Sequence, residues 1–388
     1  MRRLSQDGSI TLFAVIVIVP AVILAIFISE VGTRAMSIAL LEHRLRVEVM
    51  NMAASFNHKL LEEYGIFGVS EGEKTGVVDV VLSKSLGEQE NLKSAILAVG
   101  QDQAGVVAVE RVLGKLKAIV GYSGEAEEVL DTVNNQVGEI ASQSVSSVIG
   151  KNLPDINLKE IVQGVWNLAT ALGENWRTVD WTWAWSQNGQ INVNGILEQA
   201  KTYFEEIQRW NIKEEATNSV AYSAYVMTYF NWYGHSLSRD AVLPSSEAEY
   251  CAFGDTTGSL NIIYSFEEIY KVRTAVNFVD YLVTLEIPEP ETLVICAAVL
   301  ALLAATTDVI SLMAGNAVPL SPHLEMVETD YEDYLIMFLL MEPSRFVLGR
   351  IGDVINMNLK DQGNLTLDKY YIKILAFQDG REYSYEYR

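Results

Sequence analysis

The apolar positions of this chain change period along its length, and the first run is continuous rather than periodic. Ile10–Ile28 is a stretch of 19 residues without a charge, preceded by Arg2 and Arg3. At 1.5 Å per residue it reaches about 28 Å, close to the hydrocarbon thickness of a bilayer. The spacing predicts a cytoplasmic N-terminus over 1–9 and a transmembrane helix over 10–29, kinked but not ended at Pro20. No small-x-small cleavage site follows Ile28, so the segment reads as an uncleaved anchor. Basic residues are retained inside, which places the N-terminus in the cytoplasm and the bulk of the chain outside the cell.

Beyond the anchor the pattern becomes amphipathic. Met36, Leu40, Leu41, Leu45, Val49, Met52, Phe56 and Leu60 recur at helical spacing until Gly65 and Gly68 stop them. A helical stem over 30–68 is expected, continuous with the anchor as a rod of about 55 residues and roughly 80 Å. Residues 69–240 follow as a mostly helical region in which Gly105, Gly114, Gly121 and Gly138 interrupt the rhythm, and Val129–Val148 reads as a polar helix or hairpin arm. There the period switches once to two: Val179, Trp181, Trp183 and Trp185 alternate with Asp180, Thr182 and Ala184. Asn188-Gly189 and the alternating Ile191 and Val193 complete a hairpin signal. Lys201–Tyr233 returns to an aromatic helical stripe.

The last segment, 241–388, opens with a helix over Ile262–Leu285, ended by Ile287-Pro288-Glu289-Pro290. A 13-residue apolar run follows, Leu293–Ala305. Thirteen residues are too few to span, and Asp308 would sit near the centre of any longer span, so this run reads as a buried helix; were it to cross, the last 70 residues would be cytoplasmic. Helices are expected at Tyr331–Leu340 and Phe346–Leu359, then short strands at Leu365–Leu367, Tyr370–Phe377 and Glu382–Tyr387. Gln378-Asp379-Gly380-Arg381 is the turn between the last two, and Tyr383, Tyr385 and Tyr387 share one face. The fold class is α+β, mostly helical, with short antiparallel hairpins.

Composition narrows the partners. The chain has 388 residues and a net charge of −22, with 50 acidic side chains. Such a balance argues against nucleic acid, whose phosphates demand a basic surface. Of the two cysteines, Cys251 and Cys296, the second lies in an apolar run as a small hydrophobe does, and two cysteines alone do not establish a disulfide.

The anchor, with Gly8-Ser9-Ile10-Thr11-Leu12-Phe13, Pro20 and Glu30, and the stem ending in Leu60-Leu61-Glu62-Glu63-Tyr64-Gly65-Ile66-Phe67-Gly68 together resemble TadE/TadG-like membrane proteins of Gram-positive bacteria, a family of unknown function associated with tight-adherence (Flp-type) pilus systems. Two further blocks agree with it: Glu249-Tyr250-Cys251-Ala252-Phe253-Gly254 with Asn261 and Val272–Phe278, and Asp330–Leu335 with Arg350 and Asp353-Val354-Ile355. The resemblance covers both ends of the chain and leaves about 70–240 unmatched. It implies a pilin-like stem, pilin-like or other Tad-type membrane partners, and an accessory or structural role in a surface filament or secretion apparatus. Gly8-Ser9 is the candidate processing junction, but the fifth residue after Gly8 is Phe13 where prepilin processing favours glutamate.

Sites of chemistry are sparse. His43, His58, His235 and His323 have no metal-ligand spacing, and H-E-x-x-H, G-x-S-x-G and Walker-type loops are missing from the sequence. Acidic pairs such as Glu62-Glu63, Glu205-Glu206 and Glu267-Glu268 read as solvated faces. The expectation is a protein without enzymatic activity, cofactor, metal or small-molecule substrate, partnered by the lipid bilayer and by other membrane proteins. The stem face of Met36, Leu40, Leu45, Val49, Met52 and Phe56 packs either on a neighbouring stem or on the chain's own ectodomain, and Gly32 permits close approach at the membrane edge. The alternative function is an anchored module that binds a cell-wall or host glycan or peptide on a platform of Trp181, Trp183 and Trp185; packing of those side chains over the adjacent helices is the favoured reading of the three.

Overall fold

The structure, a computed structural model, describes residues 7–70, 79–100, 103–136, 142–153, 163–164, 180–186, 190–209, 216–237, 241–321, 327–361 and 365–387, with side chains before Leu24 outside that description. It is mostly helical, 70 % by residue, with small antiparallel sheets. Two compact units are built from interleaved segments. The first comprises 1–62, 67–91 and 367–388; the second comprises 63–66 and 92–366.

In the first unit, α1 runs from Asp7 to Ala54 without a break, so the apolar N-terminal run and most of the predicted stem are one helix of about 72 Å. The rod stops ten residues before Tyr64, where a 55–57 turn separates α1 from α2 (His58–Tyr64). Asn57 holds that turn in three ways. Its Oδ1 accepts the Leu60 N–H at 2.8 Å as the N-cap of α2. Its backbone N–H donates to the Gly68 carbonyl, and its Nδ2 donates to the Tyr370 hydroxyl.

A four-stranded antiparallel sheet completes this unit: β1 (Val69–Ser70), β2 (Asp79–Ser85), β5 (Tyr370–Gln378) and β6 (Arg381–Glu386), in the order β1-β5-β2 with β6 also paired to β5. Asp379 and Gly380 both have positive φ, 50° and 75°, which gives the two-residue connection the twist that β5 and β6 share. The register sets Ala376 opposite Tyr383 and Ile374 opposite Tyr385, so a small and a branched residue receive two aromatic rings on one face. That face covers Leu45, Val49 and Ala53 of α1, with Tyr387 beside them. Arg381 pairs with Glu42, and the Tyr387 hydroxyl donates to the Ala53 carbonyl. Val49 is fully buried; losing two methyl groups there, with the void they leave, costs about 2 kcal/mol. Val49→Ala is therefore expected to speed amide hydrogen exchange in β5 and β6, and unchanged exchange would mean that the hairpin does not depend on the helix.

The second unit is a helical assembly: α3 (Gln89–Val99, shared with the first unit through its first turn), α4 (Gln103–Gln136), α5 (Ser142–Asn152), α6 (Val193–Arg209), α7 (Ala216–Tyr229), α8 (Glu247–Phe253), α9 (Gly258–Thr284), α10 (Pro290–Met313), α11 (Tyr331–Met341) and α12 (Ser344–Asp361), with a two-stranded ribbon of β3 (Val318–Pro319) and β4 (Glu328–Thr329). The α9–α10 hairpin is its centre. α10 begins with Pro290 in the first turn, where a missing N–H costs nothing, and continues past Asp308.

Several expectations need correction. Gly105, Gly114 and Gly121 lie inside one continuous α4, because neighbouring turns carry the helix over single glycines; Gly138 lies outside the described residues. The tryptophan segment is not a strand. Residues 182–184 form a turn closed by the Trp185 N–H to the Trp181 carbonyl at 2.9 Å, with a single bridge from Trp185 to Ile191; Asn188-Gly189 lies outside the described residues, and Val193 opens α6. Leu367–Lys369 is a 3-10 turn rather than the end of a strand, while Val69–Ser70 and Asp79–Ser85, read as part of a helical region, are strands on β5.

Candidate functional site

Among the described residues two helices are long and apolar enough to cross a membrane, and their surroundings differ. The apolar window of α10 is 61 % buried within the second unit, whereas none of the apolar window within Leu24–Ala54 is buried. An exposed apolar helix at an N-terminus is what a membrane anchor or a signal sequence presents. The proposed stem face divides accordingly: Met36 is 66 % and Leu40 49 % exposed, Leu45 and Val49 are buried, and Met52 and Phe56 pack at the edge of the hairpin cluster. The lower half of the stripe thus docks on the chain's own C-terminal hairpin. Gly32 has open space around it. α1 begins at Asp7, but the side chain of Ser9 at the candidate junction lies outside the described residues.

In the second unit, the blocks around 249–254, 272–278, 330–335 and 350–353 bond to one another. Arg350 Nη1 donates to the carbonyls of Cys251 and Ala252 at 3.0 and 2.7 Å and pairs with Glu342. It thereby caps α8, whose C-terminal Gly254 is left-handed at φ 78°. A Cβ on Gly254 would lie 2.5 Å from Arg350 Nε, so only glycine satisfies both demands. Tyr250 donates to Asp353. Asn261 brackets the turn that follows, accepting the Asp255 N–H and donating to the Asp255 carbonyl.

Asp330 and Asp333 form a reciprocal capping box at the start of α11. Asp333 also accepts from Arg111 at 3.1 Å and Lys115 at 2.5 Å, which fastens α11 to α4. Arg273 on α9 is buried; its Nε donates to Asp308 at 2.9 Å and its Nη1 to the carbonyls of Pro319 and Leu320 at 2.7 and 2.5 Å. The Asp308 that interrupts the apolar run is therefore a paired charge.

Glu247 and Glu249 on α8 are both fully buried. Glu247 accepts the Asn231 N–H and the Asn358 side chain. Glu249 Oε1 accepts the Tyr233 N–H at 2.7 Å and the Tyr331 hydroxyl at 2.8 Å, and that hydroxyl also meets Ser265. Glu249 Oε2 has no hydrogen-bond partner among the described residues. Burial pushes its carboxyl up to about 7, and repulsion from Glu247 adds to this against the lowering effect of its hydrogen bonds. Glu267, expected on a solvated face, is also buried; it pairs with Lys271 at 2.9 Å, and its carboxyl is raised by the same cause.

Trp181 and Trp183 both pack on the ring of Tyr270 in α9, at 5.6 and 5.7 Å. The indole nitrogens of Trp181, Trp183 and Trp185 are buried without acceptors among the described residues. The three rings do not form a row on a strand face, and their donors turn inward.

Cys251 and Cys296 are free and buried. Among the described residues no group of three or more His, Cys, Asp or Glu side chains is arranged to hold a metal ion. No family model matches the chain, and neither a curated protein nor a solved structure matches it.

Proposed function

We propose that the protein is a membrane-anchored, non-enzymatic subunit of a surface assembly of the tight-adherence pilus type, with α1 as anchor and stem and the chain beyond the anchor outside the cell. One observation carries this reading. A single unbroken helix presents exposed apolar side chains from Leu24 through Leu40 and, within the next four turns, becomes clamped by the chain's own hairpin. Side chains left bare in this way need lipid or another protein around them, while the clamp fixes the first unit directly to the anchor. The positive N-terminus and the acidic remainder favour the outward orientation.

Single cysteines at Ser5, Ser70, Ser186 and Ser384, in a chain whose Cys251 and Cys296 are replaced by alanine, test it in intact cells with a membrane-impermeant thiol reagent. Labelling is expected at the last three positions and not at Ser5. A chain released into the medium, or one labelled only after lysis, would sink the anchor reading. Protection of Ser384 alone would mean that α10 crosses the bilayer. Photocrosslinking from Leu40 then identifies what covers the free half of the stripe, with a pilin-like membrane protein as the expected product.

A further inference from the structure

The clamp on α1 covers one side of the helix, and the opposite side carries a pattern of its own. Between Leu41 and Ala53 the covered residues are Leu41, Leu45, Glu48, Val49, Met52 and Ala53. A separate series on the same helix steps by three and four residues in strict alternation. Ile26, Thr33, Leu40, Val47 and Ala54 take its a positions, and Ser29, Met36, His43 and Met50 its d positions. All nine are exposed, and none of the covered residues is among them. Leu45 and Met52 fall at f, the position farthest from an a/d seam, and Leu41 and Val49 fall beside it at b and c. Val47 and Met50 therefore remain 40 % and 41 % exposed in the same turns whose other side the hairpin holds.

Lipid does not cover the whole series. On the anchor reading, on which this inference rests, the Glu30–Arg34 ion pair marks the edge of the hydrocarbon. Met36 to Met50 then extends about 21 Å further along the helix, beyond that edge. The series itself selects the occupant. A β-branched residue at a with an unbranched one at d, as in Val47 and Met50, favours two parallel strands. Two copies anchored in one bilayer run parallel and in register, so each g residue faces the e residue five positions on in the other copy. Gly32 meets Ser37, Ala39 meets Arg44, and Arg46 meets Asn51. No like charges meet, Arg46 gains an amide oxygen, and the open space around Gly32 permits close approach. The polar members of the seam are also satisfied. Thr33 Oγ1 donates to the Ser29 carbonyl at 2.8 Å within its own helix. His43 faces its counterpart, and two neutral imidazoles each bring one donor and one acceptor. An apolar helix of another protein would instead bury His43 against nothing that bonds to it.

We propose that α1 pairs with α1 of a second copy of this chain as a parallel, two-stranded coiled coil with its seam at Ile26–Ala54. The partner that covers Leu40 is then a second copy, and each copy keeps its own hairpin docked on the far side of its helix.

Disulfide trapping in native membranes tests it, with two differently tagged full-length chains expressed together, both carrying Cys251→Ala and Cys296→Ala. Met36→Cys, Leu40→Cys, Val47→Cys and Met50→Cys probe the seam one at a time, Ala35→Cys and Ile38→Cys probe the helix off it, and copper phenanthroline is the oxidant. The four seam positions are expected to give a product of twice the chain's mass that carries both tags, roughly fivefold or more faster than the two controls. Adding Val47→Glu is expected to slow trapping at Met50→Cys by about the same factor while the chain stays in the membrane fraction. Equal rates at all positions, faster trapping off the seam, no product, a product joining one tagged chain to a different protein, or an unchanged rate with Val47→Glu would each overturn the pairing and leave the anchor standing. A chain missing from the membrane fraction would sink the anchor reading, and the pairing with it.

Discussion

Arg273→Met is expected to cost the second unit about 3–5 kcal/mol, and Asp308→Asn markedly less, although each removes one partner of the same ion pair. The asymmetry lies in what is left behind. Without the guanidinium, Asp308 keeps Asn277 Nδ2 at 3.2 Å as its side-chain donor among the described residues, and the carbonyls of Pro319 and Leu320 lose the Arg273 donor. Without the carboxylate charge, Arg273 still donates to both carbonyls and to the amide oxygen of the new asparagine, and its own cost is partial desolvation. Because Arg273 touches α9, α10 and the turn at 319–320 together, its loss is also expected to loosen the β3–β4 ribbon. Urea denaturation of the three proteins at one pH measures the order. Equal destabilisation would show that the pair alone matters and that the two carbonyls contribute nothing. The double variant Arg273→Met/Asp308→Leu should recover part of the loss, since it buries no unpaired charge.

That ion pair marks where the sequence stops being readable. The apolar run at 293–305 is plainly a helix, and its length alone argues that it is buried. The acidic residue at 308 reads as an interruption because its partner lies 35 positions away on another helix. The same holds at the stem. Periodicity continues through Phe56 to Leu60, and nothing local ends the rod at Ala54; the break is set by Asn57 and Tyr370, 313 residues apart. The β5–β6 hairpin was legible because its register and its Asp-Gly turn are local, whereas β2 belongs to a sheet whose centre lies at the other end of the chain. Glutamates mislead most. In a chain with 50 acidic residues the pair Glu267-Glu268 reads as a solvated face, yet Glu267 is interior, as are Glu247 and Glu249. The available signal was their setting: Glu249 stands among Tyr250, Cys251, Ala252 and Phe253, a stretch too apolar to be a surface.

Raising the pH is expected to weaken the second unit, and most of the effect should trace to Glu249. A glutamate in the unfolded chain titrates near 4.5, and in the fold this one titrates near 7. Its folded-state value is raised, so the proton is bound more tightly by the folded form. The stabilisation is complete below 4.5 and is lost as the pH climbs through 7. The linkage amounts to about 3 kcal/mol across that window. The groups around the carboxyl are Glu247 on its own helix, the Tyr233 N–H, and Tyr331 with Ser265 behind it; none is cationic. The raised carboxyls of Glu267, Asp330 and Glu332 act in the same direction, so the wild-type curve alone does not isolate one residue. Glu249→Gln does. The amide reproduces the neutral acid: its oxygen can accept from Tyr233 and Tyr331, and its NH₂ takes the place of the protonated oxygen. The variant should match the wild type near pH 4.5 and exceed it by about 3 kcal/mol at pH 8.5, read from denaturant midpoints along a pH series. Parallel curves for the two proteins would show that Glu249 is already ionised in the fold, its charge held by water inside α8.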